Sequence, residues 1–373
     1  MSSSDYGSVE LNTRRKSFGV SLQTHEWQNE RTKDSYPRDL STNIEILNSS
    51  EDFGSKGSYK LCEPVKNFVF VKTTKTASTT VGATLYRYGL KHNLVAALPV
   101  PPTGVDLHIE GNKVDVTTYP CTEVFPGYNY ISSHLRMYNR ESLETVIPNA
   151  TYITILRSPY TQFRSSFYFY AADRTLNLEK WRNPFEKFVK NLTKYRKPLP
   201  LSHQSRNGQL FRLGYDCDLV CDIPIDQIIQ KLDKEIDLVM ITEYLDESFV
   251  LLKQLMCWST KDIVYYSLAQ RPRGHTPITK GMEAIISKWN RLDLILYNYF
   301  NRTLWRKIEK YDGDFKEDLR LFRAKQIQIA NECAFNSTND ACKLSQLNVG
   351  QLKKLVAKLQ YNKFCSKQKQ IYI

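Results

Sequence analysis

The stretch FVFVKTTKTASTTVGATLY, Phe68 to Tyr86, decides the fold. Its first four residues are apolar without a break, as in a strand buried on both faces. Val81, Leu85 and Tyr88 then recur at helical spacing. Between the two periodicities stand Lys72 and Lys75 with six hydroxyl residues, Thr73, Thr74, Thr76, Ser78, Thr79 and Thr80. A polar loop that leaves a strand and opens a helix is an anion site, because successive backbone N–H groups converge there and the helix dipole adds to them. Lys75 is placed to reach an oxygen of the anion. The backbone from Thr76 through Ala77 and Ser78 to Thr79 supplies amides, and the hydroxyls of Thr76, Ser78 and Thr79 add donors. The loop is not a Walker A sequence, since GxxxxGK[ST] is absent.

The same pattern recurs. NFVFVK (67–72), YITILR (152–157) and DLVMITEY (237–244) read as buried strands, and each precedes a helical pattern. Phe163, Phe167 and Tyr170 form the apolar stripe after the second, and LDESFVLLKQLMCW follows the third. Strand, loop and helix in repetition predict an α/β fold, a mainly parallel central sheet with helices on both faces. One long helix is expected from Glu283 to Tyr311, and another within LNVGQLKKLVAKLQYNKF. The Pro-, Gly- and Thr-rich chain from Pro99 to Pro126 reads as excursions around the site. Ligands of such sheets bind beyond the carboxyl ends of the strands, so the loops after Val71 and Leu156 matter most. In the second loop Arg157 ends the strand, Ser158 is the expected N-cap and Pro159 the first helical residue. Ser165, eight residues after Arg157, faces away from the apolar stripe, so that guanidinium and hydroxyl are expected to grip one phosphate group between them.

A chain of 373 residues has room for one large domain. Residues 1–58, polar with isolated apolar side chains, read as a disordered tail or stem. Residues 59–330 are the expected catalytic domain, and 331–373 a helical, cysteine-containing extension packed on it. The net charge of +13 favours an anionic partner. The basic residues are scattered and form no stripe, which argues against nucleic acid. The eight cysteines fit disulfides without fixing their pairing. They fit zinc poorly, since Cys217 and Cys221 have no partner pair, and no metal is expected. Sequons at Asn48, Asn149, Asn191, Asn301 and Asn336 weigh toward a lumenal compartment. No apolar run reaches bilayer length, and neither a membrane anchor nor an export signal is visible in this chain.

The loop VKTTKTASTT resembles the KTHKTAS loop of the galactose 3-O-sulfotransferases. The likeness continues in GLKHNLVAALP (89–99), SSHLRMYN (132–139), RNGQLFRLGYD (206–216), LVMITEYLDESFVLLKQLMCW (238–258) and WNRLDLILYNYFNRTLW (289–305), in the same order. The resemblance implies a P-loop-like sulfotransferase fold. It also implies 3′-phosphoadenosine 5′-phosphosulfate as sulfuryl donor, with the first loop on its 5′-phosphosulfate and the second on its 3′-phosphate. The acceptor it implies is the 3-hydroxyl of galactose on a glycolipid or glycoprotein. Golgi residence and membrane association come from the resemblance alone, and a homodimer is left open.

In the mechanism so implied, Lys75 faces the bridging oxygen, while Lys72 either assists through its charge or is solvated. The family's histidine before this lysine is replaced by Thr74, whose hydroxyl is too weakly basic to accept the proton. His134 in ISSHLRM is the expected substitute, with a structural histidine as the plainer alternative. His203 and His275 flank loops that border the expected acceptor cleft. Arg206 and Asn207 either touch nucleotide or acceptor or cap a helix. The replacement at Thr74 also motivates a second reading, a protein of this fold that binds nucleotide or glycan without turnover.

Overall fold

Each of the three apolar runs is a strand, and the three lie side by side. The structure, a computed structural model, describes residues 62–102, 104, 106–110, 113–119, 125–195, 206–217, 221–265, 277–335 and 340–365. The tail expected over 1–58, and with it Asn48, Cys121, His203, His275 and Asn336, lies outside those residues. In chain order, the elements that position the site are β1 (Phe68–Val71), α1 (Ser78–Lys91), β2 (Asp106–Leu107), β3 (Tyr130–Ile131), β4 (His134–Leu135), β5 (Thr151–Leu156), α2 (Pro159–Phe169), α3 (Gly208–Arg212), β6 (Leu238–Ile241), α4 (Leu245–Met256), α5 (Lys280–Trp289), α6 (Arg291–Glu309), α7 (Phe315–Phe335) and α8 (Val349–Cys365).

The main sheet has the order β3-β1-β5-β6, and every pairing in it is parallel. Val71 lies opposite Thr154 and Leu156 opposite Ile241. Strands covered on both faces need apolar side chains throughout, and all four residues of β1 are fully buried. The hydroxyl of Thr154, in the middle of β5, is satisfied by donating to the Val71 carbonyl at 2.7 Å. From β1 the chain passes through α1 to β3 on one side. From β5 it passes to β6 on the other. The order therefore reverses between β1 and β5, and ligand crevices of open α/β sheets form at that place, beyond the carboxyl ends. A small parallel pair beside it joins β2 to β4, with Asp106 opposite His134.

Helices cover the sheet with the faces that the periodicity predicts. On α1, Val81, Leu85 and Tyr88 are buried in the main core, and on α4 Phe249, Val250 and Leu252 are. Phe163 and Phe167 of α2 join a separate aromatic cluster with Phe185, Phe188, Met282 and Ile286. Helix α8 lies on α1, tied by Gln360, which accepts from the Ala96 amide at 2.8 Å and donates to the Ala96 carbonyl at 3.1 Å.

The long helix expected from Glu283 to Tyr311 is two helices, α5 and α6, broken at Asn290. A distant segment causes the break. Asn290 Oδ1 accepts the Asn207 amide at 2.8 Å, and Asn207 Oδ1 accepts from Leu292 at 3.2 Å and Asp293 at 3.3 Å. These bonds start α6 afresh. Helix α7 was not anticipated. Disulfides join Cys62 to Cys257, Cys217 to Cys221 and Cys333 to Cys342. Among the described residues no helix is long and apolar enough to cross a membrane.

Candidate active site

The loop after β1 is tight and internally braced. Lys75 and Ala77 both adopt left-handed backbone, at φ 61° and 60°, a conformation that costs a non-glycine residue about 1–2 kcal/mol and that sites retain for function. The bracing comes from the loop's own hydroxyls. Ser78 Oγ donates to the Thr73 carbonyl at 2.7 Å, and Thr76 Oγ1 donates to the same carbonyl at 3.2 Å. Thr73 Oγ1 lies 2.7 Å from Thr76 Oγ1 and also donates to the Ile155 carbonyl of β5. Thr242, just past β6, donates to the carbonyls of Thr76 at 2.8 Å and Leu156 at 3.0 Å. The hydroxyls of Thr76 and Ser78, expected on the anion, are therefore turned inward. What is left for an anion is backbone: the amides of Ser78 and Thr79 open α1 ahead of Thr80, whose own amide donates to the Ala77 carbonyl at 2.9 Å. Thr79 is exposed there. The Lys75 ammonium lies 3.7 Å from the centroid of the Phe169 ring, itself half exposed.

The second loop meets the first. Arg157 continues β5 by pairing its backbone with the side chain of Gln209. Its amide donates to Oε1 at 2.8 Å, and its carbonyl accepts from Nε2 at 2.9 Å. Two carboxylates frame this arrangement, Asp293 buried and Glu243 exposed. Asp293 accepts the amides of Gln209 and Leu210, at 3.0 and 2.9 Å, at the start of α3. Glu243 accepts the Ser158 amide at 3.0 Å, and so stands at the N-terminus of α2. The Arg157 guanidinium donates through Nε to Thr161 Oγ1 at 2.9 Å and through Nη1 to the Lys75 carbonyl at 3.2 Å.

Helix α2 turns a different face to the first loop than the sequence suggested. Gln162 Nε2 donates to the Thr74 carbonyl at 2.9 Å and to Ser166 Oγ at 3.2 Å, whereas Ser165 is only half buried on the adjoining face. Tyr170, read as part of the apolar stripe, instead caps the helix and shares a hydrogen bond with the Thr74 side chain. Stripe and site face diverge at the last turn.

Beside Thr74 is a cluster of charge. Arg212, 9% exposed, donates through Nε to Thr74 Oγ1 at 3.3 Å and through Nη1 to the Leu135 carbonyl at 2.8 Å. Its Nη1 also stands 3.9 Å from Asp106 Oδ1. Lys72 is 4% exposed, so the solvated alternative for it is overturned. Burial first, and then the charge of Lys353, pulls its ammonium down to about 8, against the opposing pull of Asp106. Lys353 arrives from α8 and donates to the Gly104 carbonyl. His134 stands in the same cluster. Burial, then Lys72, Arg212 and Lys353, push its imidazole down to about 2, and its Nδ1 has no hydrogen-bond partner among the described residues. Such a ring is neutral and accepts a proton poorly, which weighs against His134 as base.

The structure thus brings together Lys72, Lys75, the backbone from Thr76 to Thr79, Arg157 and His134, as the sequence proposed. It leaves Ser165 to one side and gives Asn207 a bracing role at the α5–α6 break. Gln162, Tyr170, Gln209, Arg212, Glu243, Asp106 and Lys353 were missed. Gln209, Arg212 and Glu243 lie within the segments that carried the family resemblance, which was the available signal for them.

Residues 36–360 match the model of the galactose-3-O-sulfotransferases. The chain is 35% identical over 263 residues to galactosylceramide sulfotransferase of Bos taurus, a match spanning 69% of this chain and 61% of that protein's length. It is 32% identical over 285 residues to galactose-3-O-sulfotransferase 2 of Sus scrofa, spanning 72% of this chain and 69% of that one. A sulfotransferase from Alicyclobacillus acidocaldarius, known from its crystal structure, is similar at a TM-score of 0.34 and 11% identity, over 66% of this chain and 100% of that chain.

Proposed function

The chain belongs to the galactose-3-O-sulfotransferase family, and from that premise we propose that it moves a sulfuryl group from 3′-phosphoadenosine 5′-phosphosulfate to a sugar hydroxyl, the 3-hydroxyl of a galactose on a glycolipid or glycoprotein. The observation that carries this reading is the meeting of the two strand-end loops, Arg157 on the carbonyl of Lys75. A nucleotide with phosphate groups at both ends of its ribose needs two anion sites, side by side, at the reversal of strand order. These residues fit it. Amides from Thr76 to Thr79 hold the 5′-phosphate, and Arg157, with Ser165 at the edge, takes the 3′-phosphate. Lys75 faces the bridging oxygen, where negative charge grows as the sulfur–oxygen bond breaks. Lys72 adds charge from within the fold. His134, neutral, offers a nitrogen to the acceptor hydroxyl as a hydrogen-bond acceptor. The disulfides support residence in an oxidising compartment, the Golgi lumen, with glycans expected on exposed Asn149.

Labelled donor with a panel of galactosides tests the reading. Transfer of label to a galactose 3-hydroxyl supports it. A second reading, nucleotide binding without turnover, is favoured by Thr74, a hydroxyl engaged by Arg212 where transfer calls for a base. Binding of adenosine 3′,5′-bisphosphate with no label transferred to any galactoside decides for that second reading.

A further inference from the structure

Sulfuryl transfer to a hydroxyl releases a proton, and the groups gathered around Thr74 and Lys72 are poor acceptors for it. The Thr74 hydroxyl is weakly basic and already accepts from Arg212. His134 is ringed by Lys72, Arg212 and Lys353. Tyr170 is a phenol whose ionisation burial opposes. One carboxylate stands among them. Asp106 lies opposite His134 in the β2–β4 pair. Arg212 spans the gap from Thr74 to Asp106, with Nε on the first and Nη1 3.9 Å from the second. Asp106 is also the only carboxylate among the described residues whose charge acts on Lys72, Arg212, Tyr170 and Lys353 alike. Its side chain is 34% exposed, so a substrate can reach it, whereas Lys72 and Arg212 behind it are buried.

We infer that Asp106 is the general base of this site and takes the proton of the attacking sugar hydroxyl. The assignment rests on the sulfuryl-transfer reading. In the step, the acceptor oxygen forms a bond to sulfur while the bond from sulfur to the bridging oxygen breaks. The bond's electron pair leaves with the phosphate of adenosine 3′,5′-bisphosphate, and the hydroxyl proton passes to the Asp106 carboxylate. The products are the sugar sulfate ester and the bisphosphate, and Asp106 returns its proton to solvent across its exposed edge. Arg212 is a positioning residue. It fixes Asp106 at one guanidinium's breadth from the loop, and its own place is fixed by the Leu135 carbonyl.

The test compares the wild-type protein with Asp106→Asn, Asp106→Glu and Asp106→Ala, measuring label transfer to a galactoside, calorimetric binding of adenosine 3′,5′-bisphosphate, and thermal unfolding. The expected result is a loss in kcat of about 10²–10⁴-fold in Asp106→Asn, the usual contribution of a general base, with nucleotide affinity and unfolding midpoint held near wild type. Partial recovery is expected in Asp106→Glu, and rescue of Asp106→Ala by added formate. An active wild type with an equally active Asp106→Asn overturns the assignment alone. Loss of nucleotide affinity and stability together with turnover also overturns it, since Asp106 would then be only a structural partner of Arg212. A wild type that binds nucleotide and transfers no label overturns the transfer reading, and this assignment with it.

Discussion

Arg157 donates from Nη1 to the carbonyl of Lys75 at 3.2 Å, joining the two strand-end loops through one guanidinium. The same side chain is held from below by Thr161 at 2.9 Å. Because Lys75 sits in left-handed backbone, this bond helps hold a conformation that the residue would not keep alone. Arg157 therefore shapes the first loop, and in the proposed reading it also meets the 3′-phosphate.

We predict that Arg157→Ala weakens binding of adenosine 3′,5′-bisphosphate by about 10–100-fold, the worth of a hydrogen bond to a charged group at about 1.5–3 kcal/mol. Arg157→Lys is expected to recover little, because an ammonium lacks the planar fork that serves Thr161, the Lys75 carbonyl and a phosphate together. Calorimetry checks both. A lysine variant with wild-type affinity would remove the geometric argument and leave only charge.

Lys75 rests on the Phe169 ring, 3.7 Å from its centroid. A lysine that must swing from an aromatic face to a bridging oxygen pays for the contact it leaves, about 0.5–1 kcal/mol at an exposed site. Phe169→Leu is accordingly expected to tighten nucleotide binding about two- to five-fold. Lys75→Ala is expected to lower kcat by about 10²–10³-fold, as for loss of a donor to developing charge. Steady-state kinetics beside nucleotide titrations separate the two effects. Unchanged kcat in Lys75→Ala would place the leaving-oxygen charge on another residue.

Lys72 gives the site a proton-linked signature. Its folded pKa is lowered from 10.5 to about 8, by burial first and Lys353 second. The native state thus binds fewer protons than the unfolded chain between those values, and this group's contribution to stability rises with pH across that window. Lys353, Asp106, His134 and Arg212 share its surroundings. An incoming polyanion favours the charged ammonium, so binding near pH 8 is predicted to take up about half a proton. Calorimetry in buffers of differing ionisation enthalpy measures the uptake, which is expected to vanish in Lys72→Met. Uptake that persists there and disappears in Lys353→Met would assign it to the α8 lysine.

The sheet was legible because its strands are continuous apolar runs, which have few alternatives, and the first loop because its lysines and hydroxyls interrupt that rhythm abruptly. What stayed hidden depends on contacts between distant segments. Asp106 lies in a proline-rich stretch with no periodicity of its own and acquires its place only when β2 pairs with β4 and Arg212 arrives from α3. The break at Asn290 is set by Asn207, and residues on either side keep helical spacing, so no local signal marks it. Tyr170 follows the apolar period of α2, yet it is the cap, where the backbone leaves the helix and the side chain turns to Thr74. The inward aim of Thr76 and Ser78 is likewise a loop conformation, which residue type alone does not reveal.

At Gly89, α1 packs directly against the Tyr130 side chain of β3. A Cβ built there would lie 2.5 Å from Cζ and from the hydroxyl of Tyr130, a side chain with 0% exposure that stacks on Phe68 at 5.1 Å between centroids. The tyrosine has no open side to move into. Alanine is the better helix former by about 1 kcal/mol, so propensity alone predicts that Gly89→Ala stabilises the protein. Overpacking of a dense core costs about 1–3 kcal/mol, and we predict that it wins, with net loss of stability in urea unfolding and a lower denaturation midpoint at unchanged slope. Gly82→Ala is the comparison. Its new methyl meets Ser132 Oγ at 3.2 Å and Lys72 at 3.6 Å, contacts that a small side-chain shift relieves, so its effect on stability is expected to be smaller. A Gly89→Ala protein more stable than its parent would show that β3 yields to α1, and that the register seating the first loop is softer than the packing of Tyr130 implies.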